Sequence, residues 1–199
     1  MKTLNIIGLL TVITSIFGCS TGSDYNGIAI SEHAYFKPCL VDHAMSRANK
    51  LGITPSSLTI IDYTLPSEKE RLFIVDLERR LITHQSLVAH AKESGYRFPR
   101  TFSNVYGSHK SSGGMFRTGE TYFGVNGYSL RIDGLDIGIN DRARSRFIVV
   151  HGADYVSDEF IKNNGMLGRS KGCFAIPFKH LDKAVNSIKE SGYIFVHHQ

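Results

Sequence analysis

The feature that most constrains this chain is a continuously apolar run that ends in a histidine. Phe147–Val150 contains no polar residue and leads directly into His151-Gly152, a pattern typical of a strand buried on both faces. Cys173 follows 22 positions after the histidine, directly behind a glycine. A cysteine nucleophile needs a base to form the thiolate and nearby dipoles to hold the oxyanion. The pair therefore points to covalent catalysis by a cysteine.

The N-terminus is predicted to be an export signal. A positive start precedes the apolar run Leu4–Phe17, which is shorter than the about 20 residues that span a bilayer. The run leads to Cys19 and a Ser-Thr-Gly-Ser stretch, which resembles a bacterial lipobox with a lipidated cysteine. We expect residues 1–18 to be a lipoprotein signal peptide and residues 19–30 a tether. The protein would then be periplasmic and anchored to a membrane by lipid, with the serine after the cysteine favouring the outer membrane. An ordinary signal peptide is the alternative.

The rest of the chain has the size of one domain, and its charge and cysteines limit its partners and its covalent links. Residues 31–199 are enough for a core of their own. The 23 Lys and Arg exceed the 18 Asp and Glu, but no basic block with interleaved aromatics predicts a nucleic-acid partner. Besides Cys19, only Cys39 and Cys173 remain. We expect two free thiols, with Cys39 filling the core; a disulfide between them is the alternative for an exported protein.

Periodicity along the chain predicts a strand-rich α+β domain. Helices are expected at 31–52, at 156–164, and from Pro177 to near Gly192. Residues 107–124 are expected to be a Gly/Ser-rich loop, in which Gly113-Gly114 is either a mobile flap or a plain turn. Strands are expected at 58–62, 71–76, 81–90, 128–132, 147–150 and 193–196, with the second and third forming a hairpin.

Several motifs together resemble one known family. His151-Gly152, followed by Ser170-Lys-Gly-Cys173, is similar to the signature of the YkuD-type murein L,D-transpeptidase catalytic domain, a His followed by Ser/Thr-His-Gly-Cys. The resemblance covers about residues 58–180 and is to a divergent branch of the family. It implies a single β-sandwich or barrel domain with a few peripheral helices. Five ordered segments carry it: Arg71–Leu77, Ser111–Phe116, Thr118–Tyr122, Tyr128–Leu135 and His151–Tyr155.

The resemblance also implies the chemistry of the site. Cys173 would attack a peptidoglycan stem peptide, and His151 would take the thiol proton and return it to the leaving amine. The amides of Gly172 and Cys173 would face the oxyanion. Ser170 would orient His151 through either its carbonyl or its hydroxyl group. No metal or other cofactor is implied, because the thiolate supplies the nucleophile.

The chain departs from the family signature in two places. Lys171 stands where the signature has a histidine, and Phe174–Pro177 lacks the Arg or Asn commonly found two positions after the nucleophile. A lysine beside a thiol would favour the thiolate. The residues expected to contact the substrate are Arg131, Tyr128, Lys171 and Arg169. For Arg131 the alternatives are a solvated side chain and one that binds a substrate carboxylate. For Tyr128 they are a position lining the cleft and one filling the core.

Three functions stay open on the sequence. The first is an L,D-transpeptidase acting on stem peptides; the second is an L,D-carboxypeptidase that uses the same site with water as acceptor. The third is a lipoprotein that binds peptidoglycan without catalysis, which the presence of both His151 and Cys173 disfavours. The oligomeric state is left open. Three further histidines and three further arginines are expected on the surface, namely His84, His90, His109, Arg142, Arg144 and Arg146.

Overall fold

A mixed nine-stranded sheet forms the centre of the computed structural model, which describes residues 27–190 and 192–198. The strands follow the order β1-β4-β3-β2-β9-β5-β6-β7-β8 across the sheet. They are β1 (Ile28–Ala29), β2 (Ser57–Asp62), β3 (Leu72–Asp76), β4 (Leu81–Ser86), β5 (Gly114–Gly124), β6 (Gly127–Gly134), β7 (Val149–Gly152), β8 (Phe174–Ile176) and β9 (Tyr193–His197). The helices are α1 (Cys39–Lys50), α2 (Asp158–Asn164) and α3 (Phe178–Ile188), with a 3₁₀ turn at Ile30–Glu32.

The sheet is covered on both faces. Along β2, Leu58 and Ile60 face the side of α1, whereas Ile61 faces the side of α3, as the alternation of a strand requires. The core under α3 contains Leu181, Ala184, Val185, Ile188, Phe116, Leu130, Val150 and Phe174. The core under α1 contains Leu40, Ala44, Ala48, Phe73, Val75 and Met115.

The first helix begins later than its sequence pattern predicts. α1 starts at Cys39, because Pro38 occupies the N-cap and its fixed φ suits a helix start. The helix ends where Gly52 adopts a left-handed φ of 68°. Cys39 lies exposed at the first helical position, so its expected place in the core is wrong. Cys39 and Cys173 are both free thiols, as the sequence predicts.

Residues 107–124 are predicted as a loop, but their second half is the longest strand of the sheet. β5 pairs with β9 at one end and with β6 along most of its length. Met115 and Phe116 are both buried, on opposite faces of the sheet. The ladder shifts register between Thr118 and Thr121, a bulge that accommodates the glycine between them. The glycines therefore mark a bulged strand in a doubly covered sheet.

The connection from β7 to β8 brings the two ends of the predicted motif together. α2 lies in this connection; the Ser157 hydroxyl caps its start by accepting from the Phe160 amide, and Gly165 ends it at a φ of 74°. β7 and β8 are parallel neighbours, which is the usual result when a helix joins two strands. The short helix predicted for this connection is confirmed.

The strand-rich α+β fold class is confirmed, as is the predicted hairpin of β3 and β4. Ile28 and Ala29 pair with β4, and Ile30 is buried, so the end of the expected tether belongs to the fold. The expected signal peptide and Cys19 lie outside the described residues. Within the described part of the chain, no helix has the length and apolar character needed to cross a membrane.

Candidate active site

Cys173 and His151 lie on one face of two neighbouring parallel strands. Val150 pairs with Phe174, so Cys173, one residue before β8, stands level with Val149. Because Val150 and Phe174 point into the core under α3, alternation puts His151 and Cys173 on the other face. Strand rise and spacing place their Cα atoms roughly 8 Å apart. Side chains can bridge such a separation.

Both side chains line one cavity of about 670 Å³. Its walls come from the turn between β5 and β6, from the end of β7, and from the segment before β8. This volume lies in the range of small-molecule and peptide sites. The polar lining includes Asn126, Asp154, Tyr155, Arg169 and Lys171.

His151 is held in one orientation by its own backbone neighbour. The Nδ1 atom lies 2.8 Å from the carbonyl oxygen of Gly152 and donates to it, since a carbonyl can only accept. Nε2 is then the free acceptor of a neutral imidazole. Burial lowers the pKa of His151, and the hydrogen bond to Gly152 opposes this shift. His151 is thus an uncharged base at neutral pH.

Cys173 is half-buried, and its thiol faces backbone groups of the segment before β7. The Sγ atom lies 3.5 Å from the carbonyl oxygen of Phe147. Burial raises the pKa of the Cys173 thiol, whereas the amide of Val149, the charge of Arg146 and its own amide act in the opposite direction. At neutral pH this cavity therefore holds a thiol and a neutral imidazole.

Ser170 and Gly172 shape the turn that presents the cysteine. The Ser170 hydroxyl donates to the Cys173 carbonyl at 2.8 Å and accepts from the Gly172 amide at 3.1 Å, while its carbonyl accepts from the Lys92 amide. Neither polar group contacts His151, which corrects the expected orienting role. The Gly172 amide donates to Ser170 in this arrangement, and its expected role toward an oxyanion stays a prediction. Gly172 is still required, because its φ of 135° is strained for other residues.

Two of the four expected substrate-contacting residues line the cavity. Arg169 and Lys171 do so; Arg169 donates to the carbonyls of the Lys92–Gly95 turn, and Lys171 is exposed. Arg131 instead pairs with Glu120 at 3.0 Å and lies over the Tyr122 ring. Tyr128 packs against the core under α3. The structure thus does not bring Arg131 and Tyr128 to the cavity.

Arg146 is a functional candidate that the sequence pattern hides. It is expected in an exposed basic row, but only 8% of its surface is exposed. Its guanidinium donates to the carbonyls of Ser103 and Lys110 and to the hydroxyls of Ser108 and Ser112. The correction has a local cause: residues 141–147 form turns, not a strand, so alternation does not apply to them.

His90 is also misplaced by the sequence analysis. It is fully buried rather than on the surface. Arg71 donates to its Nδ1 atom at 2.9 Å, and its Nε2 atom lies 3.2 Å from the carbonyl oxygen of Gly95. Burial, with the charge of Arg71 adding to it, lowers the pKa of His90 to about 4. The Ser170 amide donates to the His90 carbonyl, so this buried pair supports the turn before Cys173.

Among the residues that the structure describes, no three His, Cys, Asp or Glu side chains are grouped to hold a metal ion. Besides the polar groups of Asn126, Asp154 and Tyr155, the cavity offers a thiol, an imidazole and two cations. These suit acyl transfer from a substrate that carries a carboxylate.

Comparison with known proteins gives one family match. Residues 33–197 match the model of the L,D-transpeptidase catalytic domain, while no curated protein matches the sequence significantly. The chain is similar to three solved structures: the helical cell shape determining protein Pgp2 of Campylobacter jejuni (12% identity, 72% of this chain, 47% of that chain, TM-score 0.47), an L,D-transpeptidase of Mycobacterium smegmatis (11%, 72%, 59%, 0.43) and one of Xylanimonas cellulosilytica (14%, 76%, 68%, 0.41). The chain thus spans about half of the first structure and about three-fifths of the second.

Proposed function

The chain belongs to the L,D-transpeptidase catalytic domain family, and from this premise we propose that it is a cysteine-dependent L,D-transpeptidase acting on peptidoglycan stem peptides. The observation that carries the proposal is the pairing in one cavity of a thiol, Cys173, with a histidine whose proton-accepting nitrogen is left free. A peptidoglycan-binding protein without catalysis has no need for this arrangement.

The proposed reaction proceeds through a thioester. His151 accepts the thiol proton on Nε2, and the Cys173 thiolate attacks the carbonyl carbon between the third stem residue and the terminal D-amino acid. The C–N bond breaks, and His151 returns the proton to the leaving amine. The amine of a second stem then attacks the thioester, the C–S bond breaks, and a new amide forms while Cys173 regains its proton.

Two cavities that meet at the cysteine support an amine acceptor over water. A second cavity of about 340 Å³ shares Asn126, Lys171 and Cys173 with the first and extends toward Tyr106 and Phe147. A thioester on Cys173 would lie between the two cavities. An acceptor amine could then reach it through the second cavity while the donor stem occupies the first. Transfer to water would require only the first cavity.

The proposed location is the periplasm, with a lipid on Cys19 that anchors the protein to the outer membrane. The apolar run before Cys19 and the polar stretch after it support this proposal. An anchored enzyme of this kind would work on the peptidoglycan within reach of its tether.

The deciding experiment is incubation of the purified protein with a disaccharide-tetrapeptide, followed by mass analysis of the products. Transpeptidation yields a crosslinked dimer that has lost one terminal D-amino acid. A tripeptide product alone would identify a carboxypeptidase, and unchanged substrate would overturn the proposed activity. Cys173→Ala is the matched control, because it removes only the Sγ atom.

A further inference from the structure

Arg146 carries a buried charge without an acidic partner. Its four hydrogen-bond acceptors are two carbonyl oxygens and two serine hydroxyls, and its Nε atom is buried without a partner. None of the ion pairs formed within residues 27–190 and 192–198 includes Arg146. A buried cation is costly unless an anion offsets it. The folded protein therefore leaves a place for a negative charge near this guanidinium.

Arg146 and Cys173 are adjacent in the fold. Both line the second cavity. The Cys173 thiol contacts the carbonyl of Phe147, the residue that follows Arg146. The Lys110 carbonyl accepts from Arg146 at 2.7 Å and would lie 3.5 Å from a Cβ atom at Gly172, the residue before the cysteine. The guanidinium is thus fixed by the same backbone that surrounds the nucleophile.

We propose that Arg146 is a positioning residue that acts through Cys173, as the resident counter-charge of the thiolate. When Cys173 ionises, its proton goes to Nε2 of His151, and the thiolate becomes the anion that the buried guanidinium lacks. An opposite charge at close range favours the charged form of a thiol. The inference deepens the proposed function and rests on Cys173 being its nucleophile.

Other groups around the thiol do not replace Arg146 in this role. Lys171 is exposed, and Arg169 is held by backbone carbonyls over the Tyr96 ring. Burial raises the pKa of the Cys173 thiol. The charge of Arg146 lowers it, and no other charged side chain among the described residues is seen to do so. The titratable and charged groups that face Cys173 are His151, Asp154, Tyr155, Tyr63, His109, Arg146, Arg169 and Lys171.

The test is the pH dependence of Cys173 alkylation by iodoacetamide in the full-length protein carrying Cys19→Ser and Cys39→Ser, which leaves Cys173 as the one cysteine of the chain. We expect Arg146→Gln to move the midpoint up by about one pH unit, with an unchanged plateau at high pH. Arg146→Lys, which keeps the charge, should restore most of the shift. Ser112→Ala removes one hydrogen bond of the guanidinium without changing its charge and should leave the midpoint in place. An Arg146→Gln profile that overlays the parent, or an equal shift in Ser112→Ala, would overturn the proposal.

A second pair of variants preserves Arg146 itself, in case Arg146→Gln does not fold. Ser108 lies 3.2 Å from the guanidinium, so Ser108→Asp places a carboxylate beside it and offsets its field. We expect this variant to raise the alkylation midpoint, and Ser108→Asn to leave it unchanged; equal midpoints would refute the inference. Alkylation needs no peptidoglycan, so a protein without transpeptidase activity can still show the shift. Conversely, crosslinking by the parent with no shift in the variants rejects only the role of Arg146.

Discussion

The Nδ1 atom of His151 lies 2.8 Å from the carbonyl oxygen of Gly152, the next residue in the chain. This contact fixes the tautomer of the imidazole without a second side chain, because a carbonyl accepts only from a protonated nitrogen. The orienting group of the site is therefore backbone. Its position depends on β7 ending at Gly152, so the strand itself sets the direction of the base.

The kcat/KM of the protein should fall on acidification, with a midpoint (the acid limb of the profile) below the ordinary histidine pKa of about 6.5. Burial lowers the pKa of His151, so the neutral form that accepts a proton persists to lower pH than in a free histidine. The profile of kcat/KM against pH tests this. His151→Gln should lower kcat/KM by roughly 10²–10⁴-fold and abolish the limb. A limb that survives in His151→Gln would assign the base to another group.

Replacement of Cys173 by alanine should abolish crosslinking and leave the fold intact. The sulfur is required for the thioester, whereas alanine fits the half-buried site and keeps the backbone of the turn. Product mass analysis and thermal unfolding measure the two effects. Cys39→Ser is the matched control, because it removes an exposed thiol that does not line the cavity and should retain activity. Equal losses in both variants would contradict the assignment of the nucleophile.

Parts of the fold follow from the sequence because their periodicity is unbroken. β2 carries the apolar residues Leu58, Ile60 and Ile61, an apolar run leads into β7, and the hairpin of β3 and β4 is joined by a charged turn. β5 is hidden because glycine suits both loops and bulged strands, and only the pairing partners decide between them. One of these partners, β6, follows β5 after a two-residue turn, but the other, β9, is distant in sequence.

The candidate site was only half predictable for a related reason. The proposed nucleophile and base are residue types that stand out in their motifs, so Cys173 and His151 could be named from the sequence. Arg146 could not, because it lies in the turns of residues 141–147, the last of which, Phe147, adopts a φ of 57° and is 67% exposed. Strand alternation does not hold within these turns, so it predicts the wrong exposure for Arg146.

The stability of the domain should fall as pH drops from about 6.5 to about 4. The folded-state pKa of His90 is lowered to about 4, so below its ordinary pKa the unfolded chain binds a proton that the folded protein does not. This would cost on the order of 3 kcal/mol once the folded pKa is reached. Thermal unfolding at pH 7 and pH 4.5 measures the loss. His90→Gln should reduce the pH dependence, whereas His43→Gln, on the exposed face of α1, should not.

Replacement of Cys19 by alanine should release the protein from the membrane fraction. Lipid chains act on location, so the purified variant should crosslink stem peptides as fast as the parent. Firm retention needs more than one acyl chain, which a lipidated N-terminal cysteine would supply. Fractionation followed by immunoblotting measures the distribution. A variant that still sediments with membranes would show that the anchor lies elsewhere.

Lys171→Met should leave the thiol pKa of Cys173 unchanged and raise KM for the stem peptide. The sequence suggests that this lysine activates the neighbouring thiol, but its side chain is exposed at the rim of both cavities. Water screens an exposed ammonium, so its effect on the sulfur is small, while the rim is where a substrate carboxylate would first be met. The alkylation profile and the steady-state kinetics of the same preparation separate these effects. Methionine keeps the length of the side chain, so the variant loses the charge without losing much packing.

An alkylation midpoint that moves up in Lys171→Met, as expected for Arg146→Gln, would contradict this prediction. It would show that the ammonium reaches the sulfur, and the thiolate would then have two counter-charges.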